Sequence, residues 1–478
     1  MYIGLDLGTS GLKGIVIDPD QKLLAEAHAG LRVSRPAPGW SEQAPSDWEA
    51  ALVQVMDALA ARVDMRQVRG IGLSGQMHGA VCLDGEGKVL RPCILWNDTR
   101  AASEAQELDA DPLFRAVTGN IVFPGFTAPK LLWMARNEPA LFERIAKVLL
   151  PKDYLRFIMT GVYVSDPSDA AGTGWLDTGA RDWDDRLLSA CGLTRAQMPG
   201  LVEGSATSST LSLRWAGRWG LRADVVVAGG AGDNAASAVG LGVAQGGEAF
   251  VSLGTSGVLF TATDDFVPAP ETAIHSFCHA VPGRWHQMGV ILAAADALNW
   301  WARAQGKNAE DLFTDIGPLR APQKTLFLPY LGGERTPHND ADVRGAFIGL
   351  AHESDADSLA RAVVEGVAHA FRDNLSALAA SGTVVTSLLA VGGGSRARYM
   401  VEALATALDM PISLPAAGEF GAAFGAARLA LMAAEGAGPE ILTPPQIVET
   451  IAPQRHLTAA FAEAHARYQA AYHALKAL

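Results

Sequence analysis

YIGLDLGTSGLKGIVID, residues 2–18, and AFVSLGTSGVLFTAT, residues 249–263, carry the same five-residue run, Leu7-Gly8-Thr9-Ser10-Gly11 and Leu253-Gly254-Thr255-Ser256-Gly257. One copy opens the 478-residue chain and the other lies just past its middle, so the chain reads as two related halves. Each copy is an apolar strand, a tight Gly-Thr-Ser-Gly turn and a second apolar strand, which predicts a β-hairpin with a hydroxyl-rich tip. Such a tip offers backbone N–H groups and two hydroxyls to a phosphate, because glycine removes the Cβ that would block its approach. Two tips facing one another would grip a polyphosphate. For either loop alone a plain hairpin turn is the alternative, and the matched placement at the start of each half favours function.

The halves differ in charge. Asp6 and Lys13 flank the first turn, whereas the same offset in the second copy falls on Ser252 and Leu259. An unpaired carboxylate on an apolar strand is costly to bury. Asp6 therefore reads as a ligand for a metal or its waters, or as a turn carboxylate accepting nearby N–H groups.

At 478 residues the chain exceeds what one core supports, and two large α/β domains are expected. With 19% charged and 49% hydrophobic residues it has an ordinary soluble globular composition. A net charge of -13, a pI near 5.3 and the lack of any basic run argue against a nucleic-acid partner. Cys82, Cys93, Cys191 and Cys278 form no CxxC pair and read as reduced, buried thiols. No signal-peptide pattern opens the sequence, and no uncharged apolar run reaches the length of a membrane span. A cytoplasmic protein without a membrane partner is the expectation.

Strand-like and helix-like segments alternate in both halves: VRGIGLSGQMHGAVCLD, then the helical FTAPKLLWMARNEPALFERI, then VVVAGGAGDNAASAVGLG. The composition change at GVAQGGE, residues 242–248, sets the expected boundary between domains 1–245 and 246–478. A helix is expected over Ser358–Leu378, with Leu359, Val363, Val367, Ala370, Phe371 and Leu378 on one face, leading to the strand in SLLAVGGGSR. Pro444-Pro445 precedes an expected terminal helix whose Phe461, Tyr468, Tyr472 and Leu475 form a packing stripe.

Three glycine-marked sites remain. In VVVAGGAGDNAA, Asp233 stands where a strand hands over to a helix, as an N-cap or as a general base whose charge the helix dipole favours. Gly392-Gly393-Gly394-Ser395-Arg396-Ala397 satisfies G-x-G-x-x-A. A dinucleotide site is nevertheless discounted, because Pro411, Pro415 and Glu419 occupy the stretch where a βαβ unit would place its acidic residue. The same turn suits close approach to an adenosine, with residues 418–425 as a second wall. In SGQMHG, Gln76 and His78 are candidates to hydrogen-bond hydroxyls of a small polar ligand, a buried structural histidine being the alternative. The Trp96-Asn97-Asp98-Thr99-Arg100 cluster is suggestive but unspecific. HExxH, GxxxxGK[ST] and GxSxG motifs are absent from the sequence.

Taken in order, DLGTSGLK, GQMHG, WNDTR, GFTAPKLLWMARNE, LLPKDYL, SDAAGT, GAGDNAA, LGTSG, PYLGGERTPH and VGGGSR resemble the FGGY family of carbohydrate kinases, and within it the bacterial members that act on xylulose. The likeness runs from Met1 to about Ala434. It includes Lys130 and Trp133 in a first signature over Gly125–Asn137, and a second over Gly345–Glu365 that departs from the family pattern at Ser358. It implies an actin-like, ribonuclease-H-like ATPase fold, two duplicated α/β domains closing around a central cleft. It implies Asp233 as the base, and Gln76, Met77, His78 and Asn234 at the sugar. Asp6, Thr9, Ser10 and Lys13 with Gly254, Thr255 and Ser256 would hold the phosphates of ATP, and Gly392, Gly393, Gly394 and Ser395 the nucleotide. Mg²⁺ is implied by phosphoryl chemistry, with Asp6 and Asp233 nearest it. The implied reaction is transfer of the ATP γ-phosphoryl group to the 5-hydroxyl of D-xylulose, and a homodimer is a further expectation. Kinases of ribulose, gluconate, glycerol or a deoxy sugar, a sugar-independent actin-like ATPase and an NAD-linked oxidoreductase are the alternatives.

Overall fold

Both expected hairpins form, and each lies within a seven-stranded sheet. The computed structural model describes residues 1–313, 316–416 and 421–476. In the first sheet, β1 (Tyr2–Leu7), β2 (Gly11–Ile17) and β3 (Leu23–Gly30) run antiparallel in succession. After α1 (Pro45–Ala60), β4 (Gly70–Gly75) lies parallel to β1 on its other side. Helices α2 (Thr127–Asn137) and α3 (Pro151–Thr160) follow, then β5 (Thr207–Thr210), β6 (Val226–Ala228) and β7 (Ala231–Gly232), which leads into α4 (Asp233–Leu241). The sheet order is β5-β6-β4-β1-β2-β3, with β7 also beside β4.

The second sheet repeats this plan. Its hairpin is β8 (Glu248–Leu253) and β9 (Gly257–Thr263), followed by β10 (His275–Cys278) and β11 (Trp285–Ile291), with β11 paired to β9. After α5 (Ala356–Ala380), β12 (Ser387–Val391) lies parallel to β8, as β4 does to β1. Then come α6 (Arg398–Leu408), β13 (Ile412–Pro415), α7 (Ala422–Glu435), β14 (Ile447–Ile451) and α8 (Thr458–Lys476). The hairpin repeat thus marks a duplicated topology. The tips are not identical: Leu7 faces Leu12, but Leu253 faces Gly257, so the cross-strand partner of Ser252 is Val258 and not Leu259. The second tip is held from outside, where Ala294 and Asp296 N–H groups donate to Thr255 O and Ala295 N–H to Gly254 O.

The expected helix over 358–378 is α5, begun by a capping box of Asp355 and Ser358. Strand β14 intervenes between Pro444-Pro445 and the terminal helix. Phe461, Tyr468 and Tyr472 of α8 are buried in the second-sheet core, and Leu475 packs against it. A separate core draws on both halves, with Met77, Phe126, Phe260, Phe277 and Met288 among its members.

Helix α7 comes from the second half of the sequence yet lies on the first sheet and crosses α4. Its alanines and glycine bring backbones into contact. A Cβ on Gly4 would stand 1.9 Å from Ala423 O, one on Gly72 1.9 Å from Ala426 O, and one on Gly425 1.8 Å from Ala236 O. Arg428 anchors the crossing by donating from Nη1 to Val239 O at 2.9 Å and from Nε to Gln21 Oε1 at 2.8 Å. Helix propensity alone would make Gly425→Ala stabilising by about 1 kcal/mol. The overlap with the α4 backbone outweighs that gain, and the variant is expected to lose roughly 1–3 kcal/mol. A thermal melt reads this as a clear fall in Tm, and an unchanged or raised Tm contradicts the close crossing.

Candidate active site

Asp233 is the first residue of α4, with Gly232 in the N-cap position, so the N-cap alternative is not realised. Its Oδ1 instead accepts from its neighbour Asn234, from the backbone N–H at 2.7 Å and from Nδ2 at 2.9 Å. β7 sets its position: Ala231 and Gly232 pair with Ser74 and Gly75 of β4, and Gly232 N–H donates to Ser168 Oγ at 3.2 Å. Behind that strand the LLPKDYL and SDAAGT motifs meet in a buried ionic cluster. Lys152 Nζ lies 2.6 Å from Asp153, 2.8 Å from Asp166 and 3.0 Å from Asp169.

Burial pushes the Asp233 carboxyl up to about 7, and the nearby Asp6 carboxylate adds to the rise. Asp6 projects from β1 beside Ser74, whose hydroxyl donates to it at 2.8 Å. Its carboxyl is also raised, by burial, against the lowering effects of the Ser74 bond and of Lys13, its cross-strand neighbour. The two carboxylates are thus close enough to repel.

Asp233 and Asn234 border a cavity of about 260 Å³ that is also lined by Met77, His78, Trp96 and Ser256 and by His275, Phe277, Met288, Val290 and Arg335. His78 enters it from a left-handed backbone, φ 70°. Its Nδ1 sits 2.6 Å from Gly172 O, which fixes the proton there and leaves Nε2 to accept. The ring stacks on Phe126 at 4.8 Å, and burial lowers its pKa to about 3, so it stays neutral. Gly172 is required at that contact, since a Cβ would meet His78 Cε1 at 2.5 Å. The fully buried Lys130 holds the loop by donating to His78 O at 2.8 Å and Gly125 O at 2.7 Å.

Gln76 departs from expectation: it is buried and does not line the cavity. Its amide is engaged by the first tip and its support, accepting from Thr9 Oγ1 at 2.9 Å and donating to Gln43 Oε1 at 3.1 Å. Trp96, 43% exposed, donates from Nε1 to the same Thr9 hydroxyl at 3.0 Å. Within the remainder of that cluster Arg100 pairs with Asp98 and Glu42, each at 2.7 Å, and lies 3.6 Å over the Trp40 ring.

A second cavity, of about 550 Å³, lies beyond the second tip and is bordered by Gly254, Thr255, Ala295, Leu298, Asn299, Gly393, Gly394 and Arg396. Gly392, at φ 90°, is pressed onto the hairpin, where a Cβ would stand 2.9 Å from Leu253 O. A wider space of about 790 Å³ joins Gly392, Gly393 and Ser395 to Asn234. Consecutive residues of one tip therefore face different chambers, Ser256 the Asp233 cavity and Thr255 the glycine-lined one.

The other first-tip candidates stand apart from both cavities. Ser10 is exposed, with its carbonyl accepting from Leu31 N–H at 2.9 Å, and Lys13 Nζ lies 3.6 Å from Glu26. Residues 418–420, including Glu419, lie outside the described residues. Gly425 is no cavity wall, because α7 buries it against α4. β12, α6 and β13 do make a βαβ unit, since Pro411 and Pro415 fall at or beyond the strand ends, where no ladder bond is lost. Ser395 Oγ turns back to Gly392 O at 2.8 Å. Sequence reasoning gave no role to His275, Arg335 or Asn299, although the GERTPH run containing Arg335 was the available signal.

Among the described residues no cluster of three or more His, Cys, Asp or Glu gathers as a metal cage. Two hard carboxylates suit Mg²⁺, which takes one or two protein oxygens and fills its shell with water and substrate phosphate. The mutual repulsion of Asp6 and Asp233 fits a cation between them.

Models of the N-terminal and C-terminal domains of the FGGY family of carbohydrate kinases match residues 1–240 and 249–434. A xylulose kinase of Escherichia coli is 49% identical over 437 residues, 91% of this chain and 90% of that protein. A xyloylose kinase from Brucella ovis has a crystal structure that superimposes with TM-score 0.99 at 60% identity, covering 100% of this chain and 99% of that one. A gluconate kinase from Lactobacillus acidophilus has TM-score 0.93 at 26% identity over 99% and 97% of the two chains. The chain has the actin-like ATPase fold of the sugar kinases, and it belongs to the FGGY family of carbohydrate kinases.

Proposed function

We propose that the chain transfers the γ-phosphoryl group of ATP to the 5-hydroxyl of D-xylulose, giving D-xylulose 5-phosphate and ADP. The observation that carries this reading is the second tip, with Ser256 in the Asp233 cavity and Thr255 in the glycine-lined chamber. A sugar seated against Met77, His78 and Asn234 and a nucleotide seated along Gly392–Ser395 would meet there. The xylulose kinases among the relatives, at up to 49% identity, support the sugar. The gluconate kinase shares the fold, so fold alone does not choose it.

Asp233 accepts the proton of the attacking hydroxyl. Such a base is asked for little in a loose phosphoryl transition state, where positioning dominates. His78 Nε2 accepts from a sugar hydroxyl, while Trp96 and Gln76 hold the Thr9 hydroxyl of the first tip. When bound between Asp6 and Asp233, Mg²⁺ supplies neutralisation of phosphate charge. Residues 1–245 and 246–478 form the two duplicated halves, with α7 of the second docked on the first. Work in the cytoplasm accords with four cysteines that are all buried and free.

Coupled ADP release with Mg-ATP tests this directly. D-Xylulose should stimulate turnover far above ribulose, glycerol, gluconate and a no-sugar blank. Stimulation by another sugar alone overturns the substrate, and a sugar-independent rate overturns the kinase reading.

Asp233→Asn should lower kcat by about 10²- to 10⁴-fold, the range of a general base, and leave ATP affinity intact. In the parent protein kcat/KM should rise with pH through about 7, as Asp233 loses its proton. Stability runs the other way: a carboxyl raised from 3.8 binds more protons folded than unfolded, so its contribution is lost as pH rises towards about 7. Asp233→Asn should therefore raise Tm at pH 8 more than at pH 5. A substantially active variant, or equal Tm shifts at both pH values, contradicts the assignment.

A further inference from the structure

The wall of the Asp233 cavity also carries a cation that the reaction as described does not use. Glu334 and Arg335 are neighbours in GERTPH whose charges act on one another without forming an ion pair. The Glu334 carboxylate is buried, its Oε1 accepting from Leu292 N–H at 3.0 Å and Arg335 N–H at 2.7 Å. Arg335 faces the cavity. Its backbone is fixed by the next residue: Thr336 N–H donates to Val290 O at 3.0 Å, and Thr336 Oγ1 accepts from Val290 N–H and donates to Ala273 O, each at 3.0 Å. The guanidinium lies 4.5 Å over the Phe123 ring and donates from Nη1 to His275 Nε2 at 3.4 Å. Among the described residues no carboxylate forms an ion pair with it. Arginine keeps its charge even when largely desolvated, so open donors face the sugar chamber.

Arg335 is held against Phe123 and His275, whereas Asp233 is held at the junction of β7 and α4. The positive charge of Arg335 acts on His78 and His275, whereas the charge acting on Asp233 is that of Asp6. A five-carbon acceptor with its reacting C5 hydroxyl at Asp233 therefore presents C1 and C2 towards Arg335. The one acceptor nitrogen nearby, His78 Nε2, is taken by another sugar hydroxyl, while Arg335 only donates and His275 Nε2 already receives from it, so no acceptor is left for a second proton. A hydroxyl brings a proton that needs an acceptor. A carbonyl oxygen brings lone pairs and no proton, and it satisfies a desolvated guanidinium.

We propose that Arg335 donates to the C2 carbonyl oxygen and so selects a ketose over the corresponding polyol. This rests on the xylulose reading above. The test compares kcat/KM for D-xylulose, xylitol and D-xylonate in the parent protein, Arg335→Gln and Arg335→Lys, alongside Tm and affinity for a non-hydrolysable ATP analogue. Arg335→Gln should lose roughly 10- to 100-fold more on D-xylulose than on xylitol, the scale of a charged hydrogen bond, mostly in KM. Arg335→Lys should recover part of that difference and keeps the test open if Arg335→Gln fails to fold. Parallel losses on both substrates, with ATP affinity intact, overturn the role of Arg335 alone. A parent protein that prefers D-xylonate shows that the guanidinium reads a carboxylate, and one unresponsive to D-xylulose overturns the substrate reading and this proposal with it.

Discussion

The close crossing of α7 over the first sheet and α4 is the constraint on which the site depends. Gly4, Gly72 and Gly425 allow backbone-to-backbone contact where any Cβ would overlap a carbonyl. That contact fixes β1 and β4, which carry Asp6 and Ser74, against α4, which begins with Asp233. It also ties the first sheet to a segment of the second half, so the cleft is bordered by elements that share one packing interface. Close-packed interiors transmit displacement, and a shift at this crossing would move both carboxylates.

Within the cleft, chemistry follows from what each chamber withholds. The Asp233 end is anionic and desolvated, which raises its carboxyl and leaves it poised near neutrality as a base. Around His78 and Arg335 the wall offers one acceptor nitrogen, on the neutral His78, and the donors of the guanidinium. A small polyhydroxylated acceptor meets a graded set of partners along this path, while the second tip separates it from the nucleotide chamber. Closure of such a cleft would exclude water, which otherwise competes with the sugar for the phosphoryl group.

The duplicated plan was legible because a five-residue turn repeats verbatim and its flanking strands alternate plainly with helices. The position of Asp233 at the junction of β7 and α4 was legible from the glycine-rich strand and alanine-rich helix around it. Gln76 was misread, because sequence spacing cannot say whether an amide beside a cavity is already bonded; here Thr9 and Gln43 take it. Gly425 was misread as a wall, because a glycine needed for helix crossing and one needed for ligand approach look alike in a sequence. Arg335 and His275 escaped notice because a loop and a strand distant from Asp233 in sequence bring them to the cavity. The one-residue difference between the hairpin registers was hidden by the identical letters of the two tips.

The most direct test of the account is a structure with D-xylulose and a non-hydrolysable ATP analogue bound together. The account predicts the terminal sugar oxygen within hydrogen-bond distance of the Asp233 carboxylate and in line with the γ-phosphorus, which should rest at the Thr255-Ser256 tip. A sugar whose terminal oxygen lies away from Asp233, or a γ-phosphate held elsewhere than at that tip, would contradict it.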